Sequence, residues 1–340
     1  MSARGRAIAA GGGALALLVS CGGCGGRTSA LEANGPQAMH LEHLWWMMLW
    51  ITGVVFVLVM AWLGAALWRR GERSGEKVRA DAGEGRMLNW VVGLLALTTA
   101  VLFGLLVTSV LTDRDLDALE TANALTITVT GHQWWWSVRY ENSDPSQVVE
   151  TANEIHVPVG KPVHLQLRSA DVIHSLWVPR LHGKKDLIPG RDTRLWIQAN
   201  EAGEYRGVCA EFCGHQHAHM QLLVVAQPAA EFEAWLVHER TPAKEPETEK
   251  GKRGREVFLG GTCVMCHSVR GTPAGSRAGP ELTHFGSRRT LGAGVRENSR
   301  GHLGAWITDP QSVKPGVRMP PHGFSEEDLD ALVEYLGGLK

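Results

Sequence analysis

Cys209-Ala210-Glu211-Phe212-Cys213-Gly214-His215-Gln216-His217-Ala218-His219-Met220 puts two thiols, three imidazoles and a thioether into one short stretch. Thiolate, imidazole and thioether are soft or borderline donors that suit copper. Two cysteines four positions apart, on a loop between strands, can aim both sulfurs at a shared pair of metals. A second histidine is then needed from elsewhere. His174, in Asp171-Val172-Ile173-His174-Ser175-Leu176-Trp177-Val178-Pro179, is the candidate. A Cys209–Cys213 disulfide or a zinc knuckle is the other chemistry open to these residues.

The surrounding residues, 124–226, read as β structure. Leu125-Thr126-Ile127-Thr128-Val129-Thr130 alternates apolar and polar as a half-buried strand does. Glu154 to Val159, Val163 to Leu167, Thr193 to Ile197 and Leu222 to Val225 follow suit. Turn signals separate these runs at Asn142 to Ser146, Gly160-Lys161-Pro162, Pro189-Gly190 and Ala202-Gly203. Many short strands with turns between them imply a sandwich or barrel.

Four motifs together resemble subunit II of the haem-copper cytochrome c oxidases, over residues of about 40 to 240. They are Gly131-His132-Gln133-Trp134-Trp135-Trp136, the segment around His174, Asp186-Leu187-Ile188-Pro189-Gly190-Arg191, and the Cys209 to Met220 loop. The resemblance implies two transmembrane helices followed by a cupredoxin β-sandwich, and a dinuclear mixed-valence copper centre, CuA. By matching position it implies that Cys209 and Cys213 bridge both coppers and that His174 and His217 each bind one. It further implies that Met220 is a weak axial ligand and that Glu211 supplies a backbone carbonyl. The Glu211 side chain matches a residue that helps hold magnesium at the contact with subunit I. Trp134 matches the aromatic through which electrons arrive from a donor cytochrome. His215 and His219 lack the offsets of His217 and read as surface or supporting residues.

One position departs from the family pattern. A glutamate usually stands three residues before a tryptophan at the start of the second helix, at a proton-channel mouth. Here Met87 precedes Trp90, Glu84 is displaced, and the usual proline is missing from Val91-Val92-Gly93-Leu94. Proton uptake through this subunit is therefore in question; the copper residues are not.

Downstream, Glu231 to Arg240 reads as a short amphipathic helix, and residues 241–252 are charged and proline-bearing, as a flexible tether is. Cys263-Val264-Met265-Cys266-His267 then carries the Cys-x-x-Cys-His signature of c-type haem attachment. A helical Gly254 to Gly260 precedes it. Ala278-Gly279-Pro280-Glu281-Leu282, a helical Leu303 to Ile307, and Lys314-Pro315-Gly316-Val317-Arg318-Met319-Pro320-Pro321 follow. Ser325 is placed to cap a final helix. This order resembles a class I cytochrome c over residues 253–340. Cys263 and Cys266 would then form the thioethers, with His267 and Met319 the iron ligands. Met319 is the only methionine after the haem motif, and a Met/His pair raises the iron potential. Bis-histidine ligation through His284, His302 or His322 is the alternative.

Upstream, Leu44 to Trp68 and Met87 to Leu111 each exceed the ~20 apolar residues that span a bilayer. Trp45, Trp46, Trp50, Trp62 and Trp68 fit interfacial belts. A buried helix pair in a soluble protein is the competing reading. Arg69, Arg70, Arg73, Lys77, Arg79 and Arg86 lie between the spans, which puts that loop in the cytoplasm and both termini outside. Residues 1–20 resemble a signal peptide ending in Leu18-Val19-Ser20-Cys21, a lipobox-like sequence with Cys21 as the lipidated residue. An ordinary leader with an incidental Cys21 is the alternative.

At 340 residues the chain has room for two or three domains, and its net charge of -1 gives no basic field for nucleic acid. The expectation is a multidomain membrane protein of the bacterial inner membrane. Residues 1–20 are the leader, 40–111 a two-helix transmembrane hairpin, and 120–240 an all-β cupredoxin sandwich with CuA. Residues 241–252 form the linker and 253–340 an all-α class I cytochrome c domain, with both soluble domains periplasmic. The expected role is subunit II of a caa-type, proton-pumping terminal oxidase. Its expected partners are subunit I, subunit III, membrane lipid and an upstream donor (a bc-type complex or a cytochrome). Haem c would pass electrons to CuA and on to the oxygen-reducing haem-copper centre in subunit I. A CuA-containing nitric oxide reductase subunit and a free-standing membrane-anchored shuttle are the rivals. Quinol-oxidase subunit II is excluded if the copper ligands are real, since that branch lacks them.

Overall fold

A computed structural model describes residues 26, 28–72, 84–118 and 124–340. The leader, Cys21, and Arg73, Lys77 and Arg79 lie outside the described residues. The described residues divide into two bodies, one of residues 39–118 and one that joins residues 26–38 to residues 124–340.

The first body is helical. α1 runs Pro36–Glu72 and α2 runs Glu84–Ala118. Their apolar stretches, Pro36–Arg69 and Gly85–Arg114, have mean hydropathies of 2.2 and 2.4 and bury none of their most apolar window. Trp50, Trp62, Trp68, Met87 and Trp90 are all exposed. Such surface has no stable place in water, so membrane anchoring follows from the exposure rather than from length alone.

The second body begins with two five-stranded sheets. Strands are β1 Leu125–His132, β2 Trp135–Tyr140, β3 Val149–Ala152, β4 Glu154–Pro158, β5 Val163–Ser169, β6 His174–Trp177, β7 Lys185–Leu187, β8 Thr193–Ile197, β9 Gly203–Cys209 and β10 Gln221–Gln227. One sheet has the order β3-β2-β1-β5-β8 and the other β4-β10-β9-β6-β7. β1 pairs in parallel with β5, and β10 in parallel with β4; the other pairings are antiparallel. Alternate residues such as Ile127, Val129, Val163, Leu165, Leu167, Leu222 and Val224 face one shared core. Each such side chain, fully buried, contributes roughly 1.5–3 kcal/mol. The sandwich expectation holds, and five strands beyond the alternating runs complete it. β2 and β9 also alternate in burial, but their inward positions include Trp136, Gly207 and Cys209 rather than aliphatic residues alone, and β6 is buried at three successive residues.

α3 (Ala229–Glu239) closes the sandwich. Beyond it, α4 (Glu249–Gly260), α5 (Arg300–Thr308), the short α6 (Pro310–Val313) and α7 (Glu326–Gly338) enclose a separate core around Phe258, Leu303, Ile307, Leu332 and Leu336. A two-residue ribbon, β11 (Thr290–Leu291) with β12 (Arg296–Glu297), joins them. α4 starts within the charged 241–252 stretch because the Thr248 side chain accepts from Gly251 N. Residues before it lie along this second module: Ala243 N donates to Arg270 O at 3.0 Å. α4 crosses α7 at Gly254, where any Cβ would run into the Ala331 main chain and reach Tyr335 Cβ at 2.8 Å. Ser325 caps α7 by accepting from Asp328 N.

Candidate metal centre and haem site

β9 delivers Cys209 at its last residue, and the following loop folds back through a single 3-10 turn, His217–His219, before β10. Cys209 N donates to Met220 O at 3.0 Å, so the two ends of the loop are tied together. The loop's donors therefore converge. Cys209 Sγ and Cys213 Sγ stand 3.7 Å apart as free thiols, not a disulfide. His217 Nδ1 is 3.7 Å and Met220 Sδ 3.9 Å from Cys213 Sγ, while the Glu211 carbonyl is 3.2 Å from Cys209 Sγ. β6, paired to β9 at Leu176 and Cys209, brings His174 Nδ1 to 3.9 Å from Cys209 Sγ. His174, Cys209, Cys213 and Met220 are buried. All six residues named for copper are thus in one place, and the set of two thiols, two imidazole nitrogens, a thioether and a carbonyl fits a dinuclear copper centre. His215 and His219 are exposed, and His219 Nδ1 pairs with Gln216 Oε1 at 2.7 Å.

The sequence reading missed Asp171. Its Oδ1 accepts from His174 Nε2 at 2.8 Å, and its Oδ2 accepts from Gln133 N at 2.7 Å. With Nε2 donating, Nδ1 keeps its lone pair turned toward the sulfurs, the arrangement a metal-binding imidazole needs. Burial opposes the charged form of His174, but its bonds to Cys209 and Asp171 hold its pKa above the ordinary value. Asp171 is held below its ordinary value: burial raises it, and bonds from His174, Gln133 and Val172 outweigh that. The signal was the three-residue spacing from Asp171 to His174, which carries meaning only once the turn is built. The Cys213 hydrogen bond lowers the Cys209 thiol to about 3, and the same bond raises Cys213. Gly131 permits this packing, since a Cβ there would lie 2.7 Å from His174 Cδ2.

Gln133 Nε2 and Trp134 Nε1 donate to Cys213 O at 2.8 and 3.0 Å, which fixes the Trp134 ring against the loop. From the other module, Lys314 reaches the same place. Burial pulls its amine down to about 7, with Cys213 opposing; three carbonyls around Nζ favour the ammonium, which has three protons to give.

In the second module Cys263 lies within a 3-10 turn, Thr262–Met265, and Cys266 caps its end; both are free thiols. His267 Nδ1 donates to Pro280 O at 2.7 Å, which leaves the lone pair on Nε2. Burial lowers the His267 pKa, which favours the neutral ring. Gly279 allows the close approach: a Cβ there would stand 2.9 Å from His267 Cε1. Gln311 Nε2 donates to Val317 O and Met319 O at 2.8 and 2.9 Å and so shapes the methionine loop. Of the alternative iron ligands, His284 Nε2 donates to Thr241 O at 3.1 Å and His302 Nδ1 to Glu297 O at 3.0 Å. His322 lies against Phe324, with ring centroids 5.5 Å apart. Two attachment thiols beside an imidazole with one nitrogen fixed and one free fit a c-type haem.

A model of the periplasmic domain of cytochrome c oxidase subunit II matches residues 142–227, and a cytochrome c model matches residues 251–340. Cytochrome c oxidase subunit 2 of Alkalihalophilus pseudofirmus is 36% identical over 94% of this chain and 93% of its own. The chain belongs to the cytochrome c oxidase subunit II family. The same-named subunit of Bacillus subtilis is 32% identical, covering 80% of each chain. The crystal structure of the periplasmic domain of subunit II (CoxB) of Bradyrhizobium japonicum matches 36% of this chain and 96% of that one, at 33% identity and a TM-score of 0.33. As a member of this family the chain carries an electron-transfer role, with a cytochrome c module fused to the copper domain.

Proposed function

We propose that this chain is the electron-receiving subunit of a caa-type terminal oxidase, set in the bacterial inner membrane by α1 and α2 with both soluble modules on the periplasmic side. In this reading haem c and CuA, when bound, are one-electron carriers that link an external donor to the oxygen-reducing centre of a separate subunit I. The partners are that subunit, subunit III and an upstream cytochrome or bc-type complex, and the assembled complex pumps protons. The observation that carries the reading is the convergence of four further donors, from β6 and the loop after β9, each 3.2 to 3.9 Å from one of two cysteine sulfurs that themselves stand 3.7 Å apart.

The chain's own residues have distinct tasks. Cys209, Cys213, His174 and His217, with Met220 and the Glu211 carbonyl, would hold the copper pair. A donor set already held in place changes little when charge moves, which favours rapid transfer. Asp171 orients His174 and keeps its Nε2 protonated. Cys263 and Cys266 would tether the haem, and His267 with Met319 would ligate its iron. Trp134 lies between the two modules as the aromatic through which electrons pass. The Glu211 side chain, half-buried, is the residue for magnesium at the subunit I contact.

Metal and haem analysis of the purified complex tests this. About two coppers per haem c are expected from the shared-thiolate geometry, with a near-infrared copper band and a reduced c-type band. A C209S/C213S variant is expected to lose the copper band and keep the haem band. Copper far below that ratio in the parent would remove the reading.

A further inference from the structure

Lys314 sits five residues before Met319 on the loop that offers the haem its methionine. Its side chain is 1% exposed and carries no carboxylate partner among the described residues. Nζ donates to three main-chain carbonyls: Trp134 O at 2.7 Å, His219 O at 2.8 Å and Gly292 O at 2.9 Å. An ammonium has three N–H donors and here all three are used, which offsets burying the charge. The origin of the acceptors is what matters. Gly292 belongs to the haem module, next to the β11–β12 ribbon. Trp134 and His219 belong to the copper domain, the first being the aromatic beside Cys213 and the second preceding Met220.

Neighbouring contacts run the same way. Gln216 Nε2, on the copper loop, donates to Pro315 O at 2.6 Å. At Gly316 a Cβ would fall 3.8 Å from Trp134 Cη2 and Cζ3 and 3.9 Å from His215 Cβ, so the methionine loop lies over the Trp134 ring. Around this seam Arg289 N donates to Glu154 Oε1 at 2.6 Å and Gln221 N to Ala293 O at 3.0 Å. Each of these ties the haem module to one point of the copper domain. Lys314 alone threads from the haem loop to two separate points of the copper site.

We propose that Lys314 is a positioning residue: its ammonium pins the methionine loop of the haem module over Trp134 and against the copper loop, so that the fused module holds the surface a soluble donor would otherwise use. The inference rests on the reading that electrons run from haem c to CuA, and adds to it the group that sets the distance between them. A tether alone gives proximity without a fixed geometry. A latch fixes the geometry, and small misplacements of reacting centres cost large factors in rate.

The test is made in the assembled, cofactor-loaded complex, comparing the parent with K314M and K314Q. Pulsed electron paramagnetic resonance reads the distance distribution between oxidised haem c and the mixed-valence copper pair. Transient absorption reads the rate at which flash-reduced haem c passes its electron on. The parent should give a narrow distribution. K314M keeps length but no donors and should broaden it and slow transfer about tenfold or more, with both cofactor spectra unchanged. K314Q keeps two donors and should fall between. A narrow distribution in K314M overturns the assignment, whether or not transfer slows. If K314M fails to load both centres, K314Q carries the test, and an unchanged distribution there overturns it equally. A parent whose haem never reduces the copper would sink the electron route instead, and the distance measurement would still judge the latch.

Discussion

Asp171 shows how a single side chain can decide which nitrogen of His174, the proposed copper ligand, faces the sulfurs. It touches no sulfur, yet it accepts from His174 Nε2 and from Gln133 N and so settles which imidazole nitrogen faces Cys209. Partners of this kind are worth 10–100-fold in metal affinity. Asp171→Asn keeps the shape and removes the charge, and is expected to weaken copper binding about tenfold. Competition with a copper chelator, followed through the near-infrared band, would measure it. Unchanged affinity would mean that the strand pairing, not Asp171, orients the ring. At the haem, Gly279→Ala sets a methyl 2.9 Å from His267 Cε1. The ring must tilt away from Pro280 O, and the expected readout is a shifted haem spectrum with lower attachment yield. A normal spectrum would show that the main chain has room to yield.

At the scale of elements, the α4–α7 crossing holds the haem module together. Gly254 lies where a methyl meets the Ala331 carbonyl and reaches Tyr335 Cβ at 2.8 Å. Alanine gains about 1 kcal/mol in helix propensity, but overpacking a tight crossing costs roughly 1–3 kcal/mol or more. Gly254→Ala is therefore expected to lower the melting temperature read at the haem band and leave the copper band's transition in place. An unchanged melt would mean that the helices separate without loss.

For the molecule as a whole, the seam between the modules contains a carboxyl that shapes its response to pH. Glu239, at the end of α3, is 4% exposed, and burial raises it to about 7; Arg288 and Arg270 oppose this, and Glu281 and Glu154 add to it. His238 and His284 complete its surroundings. Because the folded value is raised above the ordinary 4.5, this group's contribution is fully present below about 4.5 and is lost as pH rises through 7. The loss is on the order of 2–3 kcal/mol. Glu239→Gln should flatten that part of the stability profile and leave the variant more stable than the parent at pH 8, as thermal unfolding in detergent would show. Some slope should persist, since burial also raises Glu281 to about 7. Identical slopes in both proteins would place the dependence elsewhere.

Much of this was legible in the chain itself. Alternation predicted β1, β4, β5, β8 and β10, because their inward positions need only be apolar. Uninterrupted hydropathy predicted α1 and α2, because a bilayer asks only for length and apolarity. One loop contains both cysteines, three histidines and Met220, and the resemblance to the family picked out His217 among them by position, while Cys263-x-x-Cys266-His267 declared itself by its own spacing. The tertiary structure decided what depends on distant residues meeting. β6 had to pair with β9 before His174 faced Cys209, and Asp171 acquired a role only when the turn before β6 closed on it. Lys314 reads as an ordinary surface cation on a proline-rich loop. Only the packing of one module on the other surrounds its amine with carbonyls from residues 180 and 95 positions away. Periodicity and motif report on neighbours in sequence, whereas desolvation and hydrogen-bond partnership are set by neighbours in space.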